Sequence, residues 1–318
     1  MTGINVKARI RWVALAAVLA APILASAQQK SNTWTQSYGR TSIDTIVPLN
    51  SNGTVDLSLI SGTIDVSAWS RDQVKIEATT QEGTLRFSAS RSRVGLSVDH
   101  EGRHNNRSGR TIYKIVVPRG ARLIMATVSG PITAKGVGGD TKAESVSGTI
   151  EIEDAASVTV ESVSGGVRVR NVRGRANGES VSGHVIMENV RGDVDAESVS
   201  GPIRLSGITA KTVRAGTVSG PIQFSGGVDP AGKYEFESHS GTIRLALPPD
   251  AGARLSLETF SGSFRSDFPV TVGGNSNWND NQRHSGRSAE ARIGSGNARI
   301  EAQTFSGSIL IIRGQNRE

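Results

Sequence analysis

The chain has 318 residues, enough for one large domain or two modest ones, and its 36 Lys and Arg against 29 Asp and Glu give a formal net charge of +7. Three of those bases precede an apolar run within residues 1–27, so the rest of the chain is only weakly basic. The chain has no Cys, which excludes disulfide scaffolds, thiolate metal sites, cysteine nucleophiles and lipid attachment through Cys.

Residues 1–27 have the features of a cleavable signal peptide. A basic start is followed by an apolar run over residues 12–25 and by Ala25-Ser26-Ala27, a small-x-small cleavage site. The alternative is a membrane anchor, but the run is short for the roughly 20 residues of a spanning helix and Pro22 interrupts it. We therefore expect a mature chain that begins at Gln28, has no transmembrane segment and is exported to the periplasm or the cell surface.

After a segment predicted to be flexible (residues 28–44), residues 45–118 alternate between apolar and polar side chains, for example over Thr54–Leu59 and Val74–Glu77. This alternation is typical of strands with one buried face. The segment lacks the short repeat described next, so it predicts longer strands that cap one end of a repeating fold and cover its unpaired edges.

From residue 119 the chain is organised by a tetrapeptide repeat, Ser/Thr-x-Ser-Gly. Successive copies are separated by 18, 17, 18, 18, 19, 21, 21 and 45 residues, and a looser copy ends at Ser61-Gly62. The copies lie at 127–130, 145–148, 162–165, 180–183, 198–201, 217–220, 238–241, 259–262 and 304–307.

Apolar residues recur two and four positions after each repeat Gly, and four and six positions before its Ser. This period of two, together with many β-branched residues, favours strands over helices. A repeat of 18–21 residues fits one coil of a β-solenoid, in which each coil stacks on the previous one. The predicted fold is therefore all-β, a single-stranded parallel β-helix over residues 119–312 with an N-terminal β cap over residues 45–118. Corner Gly residues are expected to supply positive φ angles.

Two charged columns emerge when the repeats are aligned. The column of acidic residues could face solvent, with the column of basic residues neutralising its charge. Alternatively, the stacked carboxylates could bind Ca²⁺. The basic one could instead dock an anionic polymer, because guanidinium groups suit phosphates and carboxylates. The acidic column comprises Glu144, Glu161, Glu179, Glu197, Glu237 and Glu258, and the basic column comprises Arg168, Arg204, Arg244 and Arg265.

The 45-residue step contains a polar insertion at residues 267–296. Its composition is that of a flexible loop, and a disordered insertion is one interpretation. The other interpretation is a partner-binding loop, because Trp278 lies among amide and charged side chains such as Asp280 and Arg283.

Several short stretches have a familiar form: Ser61–Val66 with Trp69, Asp72–Val74, Val116–Ala121, the Ser-Gly ladder, Leu247–Ala251 and Thr304–Ile309. Together they resemble the bacterial putative-adhesin family of domains of unknown function, related to the GIN-domain heads of auto-transporter adhesins. The resemblance spans roughly residues 45–312. It implies a β-solenoid of the cell envelope and supplies no catalytic residues.

The enzyme motifs that carry a mechanism are missing: no G-x-S-x-G elbow, H-E-x-x-H helix, P-loop or dinucleotide fingerprint is found. We therefore expect no catalytic, cofactor or metal site and no nucleic-acid partner. The predicted function is a non-enzymatic envelope protein, an adhesin or interaction scaffold that binds an envelope protein or an anionic surface polysaccharide. The alternatives are an envelope-stress regulatory binding protein and a β-helix polysaccharide lyase or hydrolase.

Overall fold

The computed structural model describes residues 42–99, 110–268, 271–272, 287–294 and 296–314. The predicted signal peptide lies outside these residues, and the segment 28–44 is described only from Ser42 onward. The described residues form strands and no helix, so this part of the chain contains no helix that is long and apolar enough to cross a membrane.

Two sheets, A and B, face each other, and each coil of the chain contributes one strand to each sheet. The N-terminal strands are β1 Ser42–Pro48, β2 Thr54–Trp69, β3 Gln73–Thr80, β4 Thr84–Ala89, β5 Arg93–Asp99 and β6 Thr111–Pro118. The coil strands of sheet A are β7 Arg122–Ser129, β9 Thr141–Ser147, β11 Val158–Ser162, β13 Ala176–Ser180, β15 Val194–Ser198, β17 Thr212–Thr217, β19 Lys233–Ser238, β21 Ala253–Thr259 and β25 Ala298–Thr304.

Sheet A also contains the strands β23 Thr271–Val272 and β24 Arg287–Ile293. The coil strands of sheet B are β8 Ile132–Lys135, β10 Ile150–Glu153, β12 Val167–Val172, β14 Val185–Val190, β16 Ile203–Ile208, β18 Ile222–Gly226, β20 Ile243–Leu247, β22 Phe264–Ser266 and β26 Ile309–Arg313.

The coils pair in parallel with equivalent repeat positions in register, as in β12 and β14, where Val167 lies opposite Val185. The apolar columns line the space between the sheets; Val185, for example, is fully buried. The predicted β-solenoid is therefore confirmed. Burial of these columns is its main source of stability, because each fully buried Val, Ile or Leu contributes roughly 1.5–3 kcal/mol.

The first coil is the single strand β2, which passes through both sheets and carries the loose repeat copy Ser61-Gly62 at its corner. Antiparallel strands extend the sheets beyond it: β3 pairs with β6 and β1 with β3 in sheet B, and β4 pairs with β5 in sheet A. These strands are the predicted N-terminal cap, which covers the sheet edges that the first coil would otherwise expose.

The repeat motif itself forms the corner between the two sheets. Its first hydroxyl is buried and makes two hydrogen bonds: Ser198 Oγ accepts from Gly201 N–H at 2.9 Å and donates to the Gly183 carbonyl of the previous coil at 3.2 Å. The same donation to the neighbouring coil recurs at Ser180, Thr217, Ser238, Thr304 and Thr259. From Ser180 onward these hydroxyls therefore tie neighbouring coils together at a fixed register, whereas Thr127 and Ser145 at earlier corners make no such bond.

The reason for Gly at this corner differs from the one predicted. In most copies the φ of this Gly is not positive; instead, a Cβ on Gly201 would lie 1.9 Å from the Gly183 carbonyl oxygen. Positive φ angles occur at the other corner, which follows sheet B, at Asp154, Asn171 and Asn189. There the side chains form a ladder, in which Asn189 Nδ2 donates to Asn171 Oδ1 at 3.1 Å.

The order of the last coils also differs from the prediction that each coil stacks on the preceding one. The final coil, β25 and β26, lies between two earlier coils: β25 pairs with β19 and β21, and β26 pairs with β20 and β22. The predicted polar loop is correspondingly shorter, because β24 lies within residues 267–296 and runs antiparallel to β21. Its side chains alternate, with Ala289, Ala291 and Ile293 buried.

We predict that Gly201→Ala destabilises the fold by at least about 3 kcal/mol, because the added methyl group has no space against the neighbouring carbonyl. Ser198→Ala should cost about 1–3 kcal/mol, since it leaves a buried N–H and C=O without a partner. The matched control is Ser200→Ala, an exposed Ser of the same corner, expected to change stability by less than about 0.5 kcal/mol. Urea unfolding measures all three; equal effects at Ser198 and Ser200 would contradict this role of the hydroxyl.

Candidate interaction surfaces

The acidic column lies on the outer face of sheet A, next to the Ser-Gly corner. Glu144, Glu161, Glu179 and Glu197 are direct neighbours on four successive coils. Gly216 then interrupts the column, and Gln303 separates Glu237 from Glu258. The predicted stacking of these carboxylates is therefore present, with two interruptions.

Three members of this column have perturbed acidities. Burial, followed by repulsion from neighbouring carboxylates, raises the pKa values of Glu161, Glu197 and Glu237. At Glu197 the repelling groups are Asp195 and Glu179. The ionised column is thus under mutual repulsion at neutral pH.

The basic column lies on sheet B, on the other side of the corner from the acidic column. Its arginines do not stack directly, because Ile186, Gln223 and Leu310 separate them on the intervening coils. Arg168 has an acidic neighbour, Glu151, at 3.7 Å. From Ile203 onward the strands of sheet B contain no Asp or Glu. The carboxylates that border this face are Glu188, opposite Ser206 on the neighbouring strand, and Asp267, directly after β22.

This placement corrects the prediction that the basic column neutralises the acidic column. The two columns belong to different sheets, and neutralisation takes place within each sheet instead. On sheet A, Lys142 pairs with Glu144 at 2.6 Å, and Arg214 pairs with Glu235 at 2.8 Å. On sheet B, Arg170 pairs with Glu188 at 2.8 Å.

A third surface feature was not identified from the sequence. The residue between the two hydroxyl positions of the motif points outward at every coil, and it is apolar in all but one. Ile60, Val128, Val146, Val163, Val218, Phe305 and Phe260 are each 45–48% exposed. The signal was available, because continuing the period of two past the buried Ser places this residue outside. In stacking order these positions form the valine ridge: Ile60, Val128, Val146, Val163, Val181, Val199, Val218, His239, Phe305 and Phe260.

Other candidate sites have less support. No group of three or more His, Asp and Glu side chains in the described part of the chain could hold a metal ion. A cavity is lined by residues that include Pro230, Pro248 and Asp250, and Asp250 is the one titratable residue among its described lining. Trp278, Asp280 and Arg283 lie outside the described residues, so their role in binding stays a prediction.

Comparison with known proteins identifies a family for this architecture. Residues 119–311 match the family model described as Toastrack DUF4097. No curated protein matches the sequence.

Two solved structures are similar to the chain. A putative cell adhesion protein from Clostridium sporogenes is 12% identical, with 86% of this chain and 99% of that chain covered and a TM-score of 0.21. A putative adhesin from Parabacteroides distasonis is 10% identical, with 85% and 96% covered and a TM-score of 0.39. At these identities and scores the two structures say nothing about the function of this chain.

The opposite pKa shifts on sheet A lead to a prediction about stability. Glu197→Gln should raise the melting temperature at pH 7, with a gain below about 1 kcal/mol, because it removes a half-buried charge that Asp195 and Glu179 repel. The pKa of Glu197 is higher in the folded chain than in the unfolded chain, so its ionisation destabilises the fold at neutral pH. The gain from Glu197→Gln should therefore decrease as the pH falls through the folded pKa and should vanish below the unfolded pKa.

The control is Glu235→Gln. Burial alone would raise the pKa of Glu235, but hydrogen bonds from Lys233 and Arg214 outweigh burial and lower it. This variant should therefore be less stable than the parent at pH 7, and the difference should shrink as the pH falls through the lowered folded pKa. Thermal unfolding between pH 2.5 and 8 tests both signs, and a loss of stability in Glu197→Gln at pH 7 would show that the column is not repulsive.

Proposed function

This chain belongs to the Toastrack DUF4097 family, which confirms the family resemblance inferred from its motifs, and from that premise we propose that it is an exported, adhesin-like binding protein of the cell envelope. Its binding surface is the outer face of sheet B around Arg204, Arg244 and Arg265. Its ligand is an anionic envelope polymer such as an acidic polysaccharide.

Export is supported by residues 1–27, which combine a basic start, an apolar run and a small-x-small cleavage site. The chain also contains no Cys, so its fold does not depend on the redox state of the compartment. These properties suit a periplasmic or surface location.

A binding role is favoured over catalysis by the way charged groups are distributed. Hydrolases and lyases act through two or more titratable groups that converge on one bond. Here the charged residues of the described chain form extended columns, and the cavity beside Pro248 brings a single carboxylate, Asp250, to its described lining.

The arrangement of the basic column is the observation that carries the proposal. Arg204, Arg244 and Arg265 occupy every second coil, so their Cα atoms repeat at about 10 Å given a coil spacing of about 4.8 Å. All three are exposed, and the residues between them, Gln223 and Leu310, are uncharged. A straight row of guanidinium groups at constant spacing matches a linear polymer whose acidic groups repeat at a similar distance.

Such a surface binds by multiplicity. A single exposed ion pair contributes less than about 1 kcal/mol, whereas several pairs on one rigid face act at high effective concentration once the first has formed. The binding should weaken steeply with salt, because the charges are exposed and screened by mobile ions.

The test is the binding of residues 28–318 to polygalacturonate at low ionic strength, measured by calorimetry, with neutral dextran as the negative polymer. The double variant Arg204→Ala/Arg244→Ala should bind at least tenfold more weakly than the parent and show a shallower dependence on salt. The charge-matched control is Arg122→Ala/Arg175→Ala, because Arg122 lies on sheet A beside Asp140 and Arg175 directly precedes β13 of the same sheet, beside Asp193. It should change the affinity by less than about twofold.

An equal loss of affinity in the two double variants would show that only net charge matters and would contradict the proposed surface. Release of unsaturated oligosaccharides from polygalacturonate by the parent protein would contradict the non-catalytic role.

A further inference from the structure

The corner between the two sheets carries an uncharged strip that is not part of the proposed polyanion-binding surface. The strip consists of the valine-ridge residue, the following Ser-Gly pair and the next residue, taken from ten coils: residues 60–63, 128–131, 146–149, 163–166, 181–184, 199–202, 218–221, 239–242, 305–308 and 260–263. None of these forty positions is Asp, Glu, Lys or Arg. His184 and His239 are its titratable residues.

This composition differs from that of the sheets on either side, which carry the acidic and the basic columns. Depletion of charged residues with enrichment of aromatic residues is the signature of the centre of a protein–protein interface. The aromatic residues lie at one end of the strip, where the rings of His239, Phe305 and Phe260 stack in parallel with centroids 4.9 and 4.7 Å apart. Ring edges and methyl groups thus form a row along the corner that is apolar at nine of its ten positions.

We propose that the uncharged strip is the interface through which two copies of this chain form a dimer. Ten coils at about 4.8 Å spacing give a strip about 43 Å long, and four residues give a width of about 13 Å. Two copies that face each other along the strip cover about 1,000 Å² in total, which is close to the lower limit of a specific interface. The dimer is therefore expected to be weak. The side chains of the valine ridge repeat once per coil, so they match the equivalent side chains of a second copy, which repeat at the same spacing.

The flanking charges select one arrangement of the two copies. When a two-fold axis runs along the strip, the coils of both copies run in the same direction, and the acidic column of each copy lies on the same side as the basic column of the other. In the opposite arrangement, acidic columns would lie beside acidic columns and basic beside basic. Electrostatic attraction thus favours the parallel dimer. The outer face of sheet B stays open to solvent in this dimer, so the proposed polymer site is retained.

The parallel two-fold arrangement has a simple consequence: every strip residue faces its own equivalent in the other copy, at both ends of the strip. The chain has no Cys, so single cysteines can report this contact without interference. The test uses three single variants of residues 28–318: Val128→Cys near one end of the ridge, Phe305→Cys near the other, and Ile46→Cys as a control. The exposed fractions of the three side chains are similar, at 47%, 48% and 50%, and Ile46 lies on β1 away from the strip.

Mild oxidation at a protein concentration of about 100 µM, followed by non-reducing electrophoresis, measures disulfide-linked dimers. Both strip variants should form them at least tenfold faster than Ile46→Cys, and Val163→Glu added to either variant should reduce the rate to that of the control. Circular dichroism checks that each variant is folded. The readout needs no polymer, so its outcome is independent of the proposed polyanion site.

Rates equal to the control for both strip variants would overturn the dimer. Fast cross-linking in only one of them would overturn the parallel arrangement, because that arrangement brings equivalent residues together at both ends of the strip.

Discussion

The hydrogen bond from a corner hydroxyl to the carbonyl of the neighbouring coil is the constraint on which the rest of this structure depends. Ser180, Ser198, Thr217 and Ser238 each accept from the Gly N–H of their own coil and donate to the Gly carbonyl of the coil before. The bond can form only when coils are in one register, since a shift by one residue would place the hydroxyl outside. Burial of Val, Ile and Leu supplies most of the stability, but the corner determines which residues are buried.

The surface properties follow from this register. Because equivalent positions stack, a preference at one repeat position becomes a row of side chains along the molecule. The carboxylates of sheet A, the arginines of sheet B and the valine ridge are three such rows, separated by a few residues along the chain. A fold of this kind acts through extended faces, where many weak contacts add together, and not through a deep pocket.

The local features of the fold could be predicted from the sequence. The strands, their buried columns and the cap depend on patterns within one coil or between adjacent repeats. The side of the corner on which each column lies could also have been deduced, because Glu197 precedes the Ser-Gly pair and Arg204 follows it. The interpretation of Gly201 as a positive-φ residue was wrong because the requirement is set by a carbonyl group in another coil.

The order of the terminal coils could not be predicted, because sequence spacing does not say which two coils a late segment lies between. The coil of β25 and β26 pairs with coils on both sides, although β21, β22 and β24 precede it in the sequence. This insertion buries the Ile300 and Ile311 columns between earlier coils. It also means that β25 and β26 have a neighbouring strand on each side, unlike the last strands of a simple stack.

Hydrogen exchange in the terminal coil tests most directly whether one corner register extends through all the coils. The amides of β25 have strand partners on both sides, so they should exchange as slowly as those of β17 in the middle of the solenoid. Thr304→Ala removes the hydroxyl that donates to the Gly241 carbonyl, so it should accelerate exchange in both β19 and β25. Exchange in β25 that is much faster than in β17 would contradict the inserted coil, and exchange that does not respond to Thr304→Ala would contradict the role of the corner hydroxyls.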